Sequence, residues 1–398
     1  MLPQLVSHNE DIQLLQEMGY SLAVDNNYLI IRDIPYLDSE LQLQYGAIVT
    51  KLNFKDEMHV EQEDHQVFFA GSVPFELQDG QIRNLGGGET HLPLSEVCSD
   101  VVVQRSFSNK PPSGKFENFF EKIESYVAII SGPAIEKYKV TPYTFRSVKE
   151  SASLSDPIFK FPDTLSSRAE IIDLGMKLQD DIIAVIGLGG TGAYLLDFLV
   201  KTPVREIRAF DNDPFYIHNA FRSPGKLSPK EFRKPKSEVY KTRYKNFRNG
   251  LSFFPKCIDA TSIFDLDGVT FAFVCVDKGS SRSGIFDLLI SKSIPFIDVG
   301  MGLFRKEGLI NGLVRTTYFS SHQAQEVRKK KLAEESDTPD DIYKSNIQIS
   351  ELNALNACMA IIKYKQIRGF YFEEDPLYNL AYEIGDMKIV GEDNIDEI

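Results

Sequence analysis

Residues 183–192 read IAVIGLGGTG, an apolar strand-like run that passes straight into a glycine-rich turn. The next run, GAYLLDFLVK, carries its apolar residues at helical spacing. This strand, turn and helix sequence constrains the fold more than any other feature of the chain, because the pattern then repeats. VREIRAFD, SEVYKTRYKNF, VTFAFVCVD, GIFDLLISKS and PFIDVGM alternate strand-like with helix-like periodicity. Near-continuously apolar strands separated by helices require a parallel sheet covered on both faces, which predicts a doubly wound, Rossmann-like α/β domain.

Domain organisation follows from the shifts around this core. Residues 1–148 start with a helix-like NEDIQLLQEMG and continue through the short alternating runs YLIIRDI, GAIVTKLNF and HQVFFAGSVPF. After a glycine loop at 86–88, DVVVQRSF reads as a strand and FENFFEKIESYVAII as a helix on the sheet, a smaller α+β domain. Residues 149–166, rich in Ser, Asp and Pro, read as a linker. The second domain is expected over 167–398, its first helix opened by a capping box of Ser167 and Glu170. Past Gly302 the pattern changes to a strand GLINGLVRTTYF, a charged irregular crossover at 320–345, a long helix QISELNALNACMAIIKYKQI and a terminal hairpin around YEIGDMKIV.

Charge and cysteine content exclude several function classes. A formal net charge of −13 argues against a nucleic-acid surface, since neutralising phosphates takes clustered Lys and Arg. No apolar run approaches the roughly 18 to 20 residues that span a bilayer, and the N-terminal stretch lacks a basic region leading into an apolar one, so a cytoplasmic location is expected. Cys98, Cys257, Cys275 and Cys358 form no C-x-x-C pair, which predicts reduced, mostly buried thiols rather than zinc or disulfides, with Cys257 and Cys275 in strand-like runs where a small buried hydrophobe is expected. His59, His65 and His91 are scattered and read as satisfied singles.

The glycine turn itself points to a nucleotide. Gly187, Gly189 and Gly192 satisfy G-x-G-x-x-G between strand and helix, and Asp211, nineteen residues past Gly192, ends the second strand where a carboxylate accepts hydrogen bonds from ribose hydroxyls. A hydride-transfer site needs little further positive charge, whereas nucleotidyl transfer needs cations and a metal around the triphosphate. Downstream stand Asn219, Arg222 and Lys236, with Asp277 at the end of the strand VTFAFVCVD, either a Mg²⁺ carboxylate or an N-cap for KGSSRSGIF. An NAD(P)-dependent oxidoreductase and a non-catalytic nucleotide-binding scaffold remain the competing readings.

Five ordered elements resemble the ThiF/MoeB and ubiquitin-activating-enzyme superfamily. They are Gly187-Leu188-Gly189-Gly190-Thr191-Gly192, then Asp211-Asn212-Asp213, Asn219-Ala220-Phe221-Arg222, Pro235-Lys236, and Asp277 with Arg282 five residues on. The spacing matches apart from about one extra residue between Arg222 and Lys236. The segments GLGGTGAYLLD, HNAFRSPG and NIQISELNALNA further resemble bacterial ThiF-family proteins with an N-terminal domain of unknown function.

The resemblance implies ATP bound at the glycine loop and Asp213, with Asp211 on the ribose, Asn219, Arg222 and Lys236 on the phosphates, and Mg²⁺ on Asp277. It implies adenylation of the C-terminal carboxylate of a ubiquitin-like or small carrier protein with release of pyrophosphate, a downstream conjugation partner, and a homodimer. In such dimers a partner arginine upstream of the first strand completes the site; Arg168 is the candidate, and it reads equally as a first-turn surface residue. Two departures stand out. The crossover at 320–345 holds no cysteine to receive the acyl group, and the C-x-x-C pairs of the bacterial sulfur-carrier activators are missing. The N-terminal domain is expected to bind a partner.

Overall fold

The computed structural model describes residues 1–78, 80–148, 157–336 and 347–393. The chain divides into two compact units, Met1–Ile172 and Asp173–Ile398.

The first unit opens with helices α1 (Leu2–His8) and α2 (Glu10–Met18). Strands β1 (Ser21–Asp25), β2 (Tyr28–Leu37) and β3 (Leu43–Lys51) follow as a meander, then a small ribbon of β4 (Asn53–Phe54) and β5 (Val60–Glu61). With β6 (Gln66–Ala70), β7 (Gly88–Glu89) and β8 (Arg105–Ser108) the main sheet is antiparallel in the order β1-β2-β3-β6-β8-β7. Alternate residues of a strand face opposite ways, and here both faces are covered. Leu29, Ile31, Ile48 and Phe69 pack with Ile123, Tyr126 and Ile130 of α3 (Phe119–Tyr138). Ile30, Val49 and Ala70 pack on the other side against Cys98, Val101 and Val103.

Between α3 and the sheet lies a buried cation. Lys122 is 1% exposed; its Nζ donates to Thr50 Oγ1 at 2.9 Å and to the carbonyl of Asp64, and burial pushes its pKa down to about 8. A folded pKa below the unfolded one means that the unfolded chain binds the extra proton. Stability therefore rises with pH between about 8 and 10.5, and at neutral pH the charged form costs about 3 kcal/mol. Denaturant unfolding should show the wild-type midpoint rising across that window relative to Lys122→Met, and parallel pH profiles of the two proteins would contradict this.

The boundary segment departs from the expected capping box. Helix α4 (Thr164–Arg168) starts earlier, because the Asp163 carboxylate accepts from the Ser166 N–H at 3.0 Å and from its hydroxyl. Ser167 instead donates to the Pro3 carbonyl, and Glu170 adopts φ 54°, which ends the helix. A separate turn of helix, α5 (Ile172–Met176), follows. Residues 149–156 of the expected linker lie outside the described residues.

In the second unit, β9 (Ile182–Ile186), α6 (Gly190–Leu199), β10 (Glu206–Phe210), α7 (Ile217–Ala220), α8 (Lys236–Tyr244) and β11 (Leu251–Phe254) form its first half. β12 (Phe271–Val274), α9 (Gly279–Ser291) and β13 (Phe296–Lys306) continue the alternation. These strands are parallel in the order β11-β10-β9-β12-β13, with Val185 of β9 opposite Ala209 on one side and Phe273 on the other. Both faces are covered as expected. Ile183, Val185, Phe271 and Phe273 meet α6 and α11 (Ser350–Ile367), while Ala184, Ile186, Ala272 and Val274 meet α9.

Beyond β13 the sheet turns antiparallel. β14 (Leu309–Phe319), β15 (Leu377–Glu383) and β16 (Lys388–Asp393) extend it in sequence, so the terminal hairpin is part of the main sheet. The crossover contains a short helix, α10 (Ala324–Lys329), and its residues 337–346 lie outside the described residues. Cys257 corrects the expectation of buried thiols. β11 ends at Phe254, which leaves Cys257 exposed beyond the strand, whereas Cys98 and Cys275 are buried and Cys358 is half-buried.

Candidate active site

In a sheet of this order the strand connections reverse direction at β9, and the loops at the carboxyl ends of β9, β10 and β12 share one edge. The glycine loop occupies the first of them. Gly187 adopts φ +95°, and a Cβ there would come within 2.6 Å of the Cys275 carbonyl oxygen. At Gly192 a Cβ would reach 2.0 Å from the Gly187 carbonyl oxygen, so strand, loop and helix approach one another through missing side chains. Gly189 is different. It caps α6, and beyond its immediate chain neighbours no described residue comes within 4 Å of where its Cβ would stand, which is where a ligand would meet the N–H groups of the first turn.

Asp211 ties this loop to the end of β10. It is 8% exposed; Oδ2 accepts from the Leu188 N–H at 2.7 Å and Oδ1 from the Asp213 N–H at 2.8 Å. Burial raises its pKa, opposed by the charge of Lys236 and by these N–H donors. Lys236, the first residue of α8, is itself buried, and its Nζ stands 2.9 Å from Asp213 Oδ2 and 3.5 Å from Asp211 Oδ2. Its backbone N–H donates to the Asp213 carbonyl, and a bridge between Pro214 and Pro235 closes the same turn. The D-x-D and P-K motifs thus form one knot.

Asn219 and Arg222 sit on and just after α7. Asn219 is buried and its Oδ1 accepts from the Tyr216 N–H at 2.7 Å, while its carbonyl accepts from Ser223 Oγ and the Arg222 N–H. Asn219 therefore shapes the turn that presents Arg222. The Nε of Arg222 is buried with no hydrogen-bond partner among the described residues, a donor kept unpaired where an anionic ligand is expected.

Asp277 is exposed past β12, and α9 begins at Gly279 with Lys278 at its N-cap, so Asp277 is not the cap. Gln348 Nε2 lies 3.5 Å from Asp277 Oδ2. Among the described residues no group of three or more His, Cys, Asp or Glu forms a metal cage. A single exposed carboxylate suits Mg²⁺, which takes most of its oxygens from phosphates and water, so Asp277 fits that ion. Arg282 is held away from solvent by Asp298 at 3.0 Å and the carbonyls of Val276 and Glu334; Asp298 also pairs with Arg315. Arg168 lies in the first unit, where its exposed side chain pairs with Glu17 at 2.8 Å.

The ThiF family profile matches residues 168–383. The chain belongs to the ThiF family. ThiF-family domains are ATP-dependent adenylyltransferases of the E1-like type, and the second unit carries their glycine-loop sheet. Residues 10–164 match a domain of unknown function, DUF6791. Among solved structures the chain is similar to E. coli MccB with AMPCPP and selenomethionyl MccA, at 19% identity over 58% of this chain and 70% of that one, with a TM-score of 0.44. It is similar to E. coli MccB with ATP at 18% identity over 56% and 66%, with a TM-score of 0.43. Selenomethionyl PaaA is matched at 15% identity over 73% and 92%, with a TM-score of 0.46. The chain thus spans about two thirds of the MccB chains. No curated protein matches it. Among the described residues no helix is long and apolar enough to cross a membrane.

The start of α11 was not among the expected site residues. Thr191 Oγ1 donates to Asn353 Oδ1 at 2.9 Å, and Tyr194 and Ser350 share a hydrogen bond of 2.6 Å, so this helix is fastened to the one that follows the glycine loop. The signal was present in NIQISELNALNA, whose asparagines interrupt an otherwise apolar helix face.

The glycines separate stability from binding. Gly192→Ala should lower the thermal midpoint by an amount equivalent to about 1–3 kcal/mol, because its Cβ has no room. Gly189→Ala should leave the midpoint unchanged while weakening nucleotide binding by calorimetric titration, because its Cβ occupies the open space in front of α6. Equal stability losses in the two variants would contradict the assignment.

Proposed function

We propose that the second unit adenylates the C-terminal carboxylate of a ubiquitin-like or small carrier protein. The observation that carries the reading is the pairing of an unpartnered buried Arg222 Nε with a Lys236 ammonium already buried beside Asp211 and Asp213. A hydride-transfer site has no use for two fixed cations beyond its glycine loop.

In this reading the N–H groups of the first turn of α6 receive the phosphates, and Asp211 accepts from the ribose hydroxyls through the lone pairs its backbone donors leave free. Lys236 exchanges its contact with Asp213 for a phosphate oxygen. Arg222 supplies a second cation, and Asn219 fixes the turn that aims it. The carrier carboxylate attacks the α-phosphorus, the bond to the bridging oxygen toward the β-phosphorus breaks, and pyrophosphate leaves with that electron pair. The products are an acyl-adenylate and pyrophosphate. Mg²⁺ on Asp277 would neutralise charge on the departing pyrophosphate.

Charge accumulating on the phosphorus oxygens is what Arg222 and Lys236 stabilise. Burial raises the thiol pKa of Cys275, just past β12, and of Cys358 on α11, which leaves little thiolate at either to receive the acyl group. A second copy of the chain would complete the arrangement, Arg168 entering only on release from Glu17.

ATP–pyrophosphate exchange with candidate carriers tests this proposal. Arg222→Ala should lower the exchange rate by about 10² to 10³ with little change in unfolding midpoint, and Asp277→Ala should raise the Mg²⁺ concentration required. Undiminished exchange in both variants, or thermal protection by NADH and not by ATP–Mg²⁺, would overturn it.

A further inference from the structure

The amide of Asn353 presents an unusual local arrangement. The residue is 1% exposed, on the first turn of α11, and its Oδ1 is anchored by the Thr191 hydroxyl at 2.9 Å. Its Nδ2 is buried with no hydrogen-bond partner among the described residues. A Cβ built on Gly190 would lie 2.3 Å from that nitrogen and 2.5 Å from the amide carbon, so the amide packs flat against the Gly190 α-carbon. Side chains of an α-helix tilt toward its N-terminus. The amide of Asn353 therefore stands beside the mouth of α6, next to the N–H groups that the glycine loop frees.

We propose that Asn353 is a further phosphate-binding residue, whose Nδ2 donates to a phosphate oxygen of the nucleotide seated on α6. The inference rests on reading the glycine loop as the cradle of ATP. An amide N–H₂ enclosed by protein and left without an acceptor is unfavourable, and such a group calls for a functional role or a bound water or ion. A phosphate at the N-terminus of α6 would supply that acceptor. The same contact accounts for the glycine at 190. G-x-G-x-x-G asks for glycine at positions 187, 189 and 192 only; here a fourth is required because any Cβ would displace Asn353 from the loop.

A purely structural Asn353 would join α6 to α11 through Thr191 and would do nothing for the ligand. The two roles separate in the chemistry of substitution. Asn353→Asp keeps an oxygen for the Thr191 hydroxyl but replaces the donor with a negative charge beside the phosphates. Asn353→Ala removes both ends and, with them, the unpaired N–H.

Calorimetric titration with ATP–Mg²⁺ and with adenosine, each on wild type and both variants, tests the proposal. Asn353→Ala should bind ATP about tenfold more weakly and Asn353→Asp more weakly still, with adenosine affinity unchanged in both. The ratio of ATP to adenosine affinity is read on whichever variant folds, so a loss of stability in one does not decide the matter. ATP affinity in Asn353→Asp equal to wild type, or equal losses for ATP and adenosine, would overturn it. Wild-type protein that binds no ATP would instead overturn the underlying reading of the site.

Discussion

The glycine-loop end of the sheet depends on the carboxylate of Asp211. A buried carboxylate is tolerated only when its oxygens are satisfied, and this one is satisfied by the backbone of the loop it must organise. By accepting the Leu188 N–H it fixes the glycine loop against the end of β10; by accepting the Asp213 N–H it folds the D-x-D turn back on itself. Lys236 supplies the compensating charge from the start of α8. Loop, turn and cation therefore hold one another in place before any ligand arrives. Such pre-organisation is what a site needs if it is to stabilise charge that appears only during reaction.

The remaining parts are arranged around that knot by packing. The near-contact of Gly187, Gly192 and Cys275 closes β9, α6 and β12 together at distances only glycine permits. At the same end of the sheet, level with the last residue of β12, the buried Asp298, shared by Arg282 and Arg315, joins α9, β13 and β14 and draws the Glu334 carbonyl of the crossover onto Arg282. A carboxylate between two guanidiniums has its charge and hydrogen bonds compensated by both; removing either arginine would leave a buried charge under-satisfied. Arg282 is thus engaged by the fold, which distinguishes it from Arg222, whose Nε is not.

Much of this was legible in the sequence because strand and helix periods are local. The runs from IAVIG to PFIDVGM alternate on the page as they do in space, and Gly187, Asp211 and Lys236 fall at element ends where their chemistry is required. What could not be read locally depended on competition or on distant pairing. Ser167 lost the capping role to Asp163, which offers a charged acceptor one turn earlier. The antiparallel extension arises because β13 and β14 are joined as a hairpin, and β15 then pairs with β14 across the intervening α11. Cys257 lies outside β11, whose pairing stops at Phe254, before Pro255 and Lys256. Asn353 meets Thr191 across 162 residues, a contact no local pattern encodes.

Which bond of ATP is broken decides the chemistry of the second unit. Phosphorus NMR of the protein incubated with ATP–Mg²⁺ and carrier proteins bearing a free C-terminal carboxylate reads this directly. Pyrophosphate appearing together with an acyl-adenylate signal, which turns to AMP only as the adenylate is hydrolysed, in a reaction abolished when the carrier is amidated at its C-terminus, is the result predicted by attack at the α-phosphorus. ADP and inorganic phosphate, formed whether or not the carboxylate is free, would contradict it.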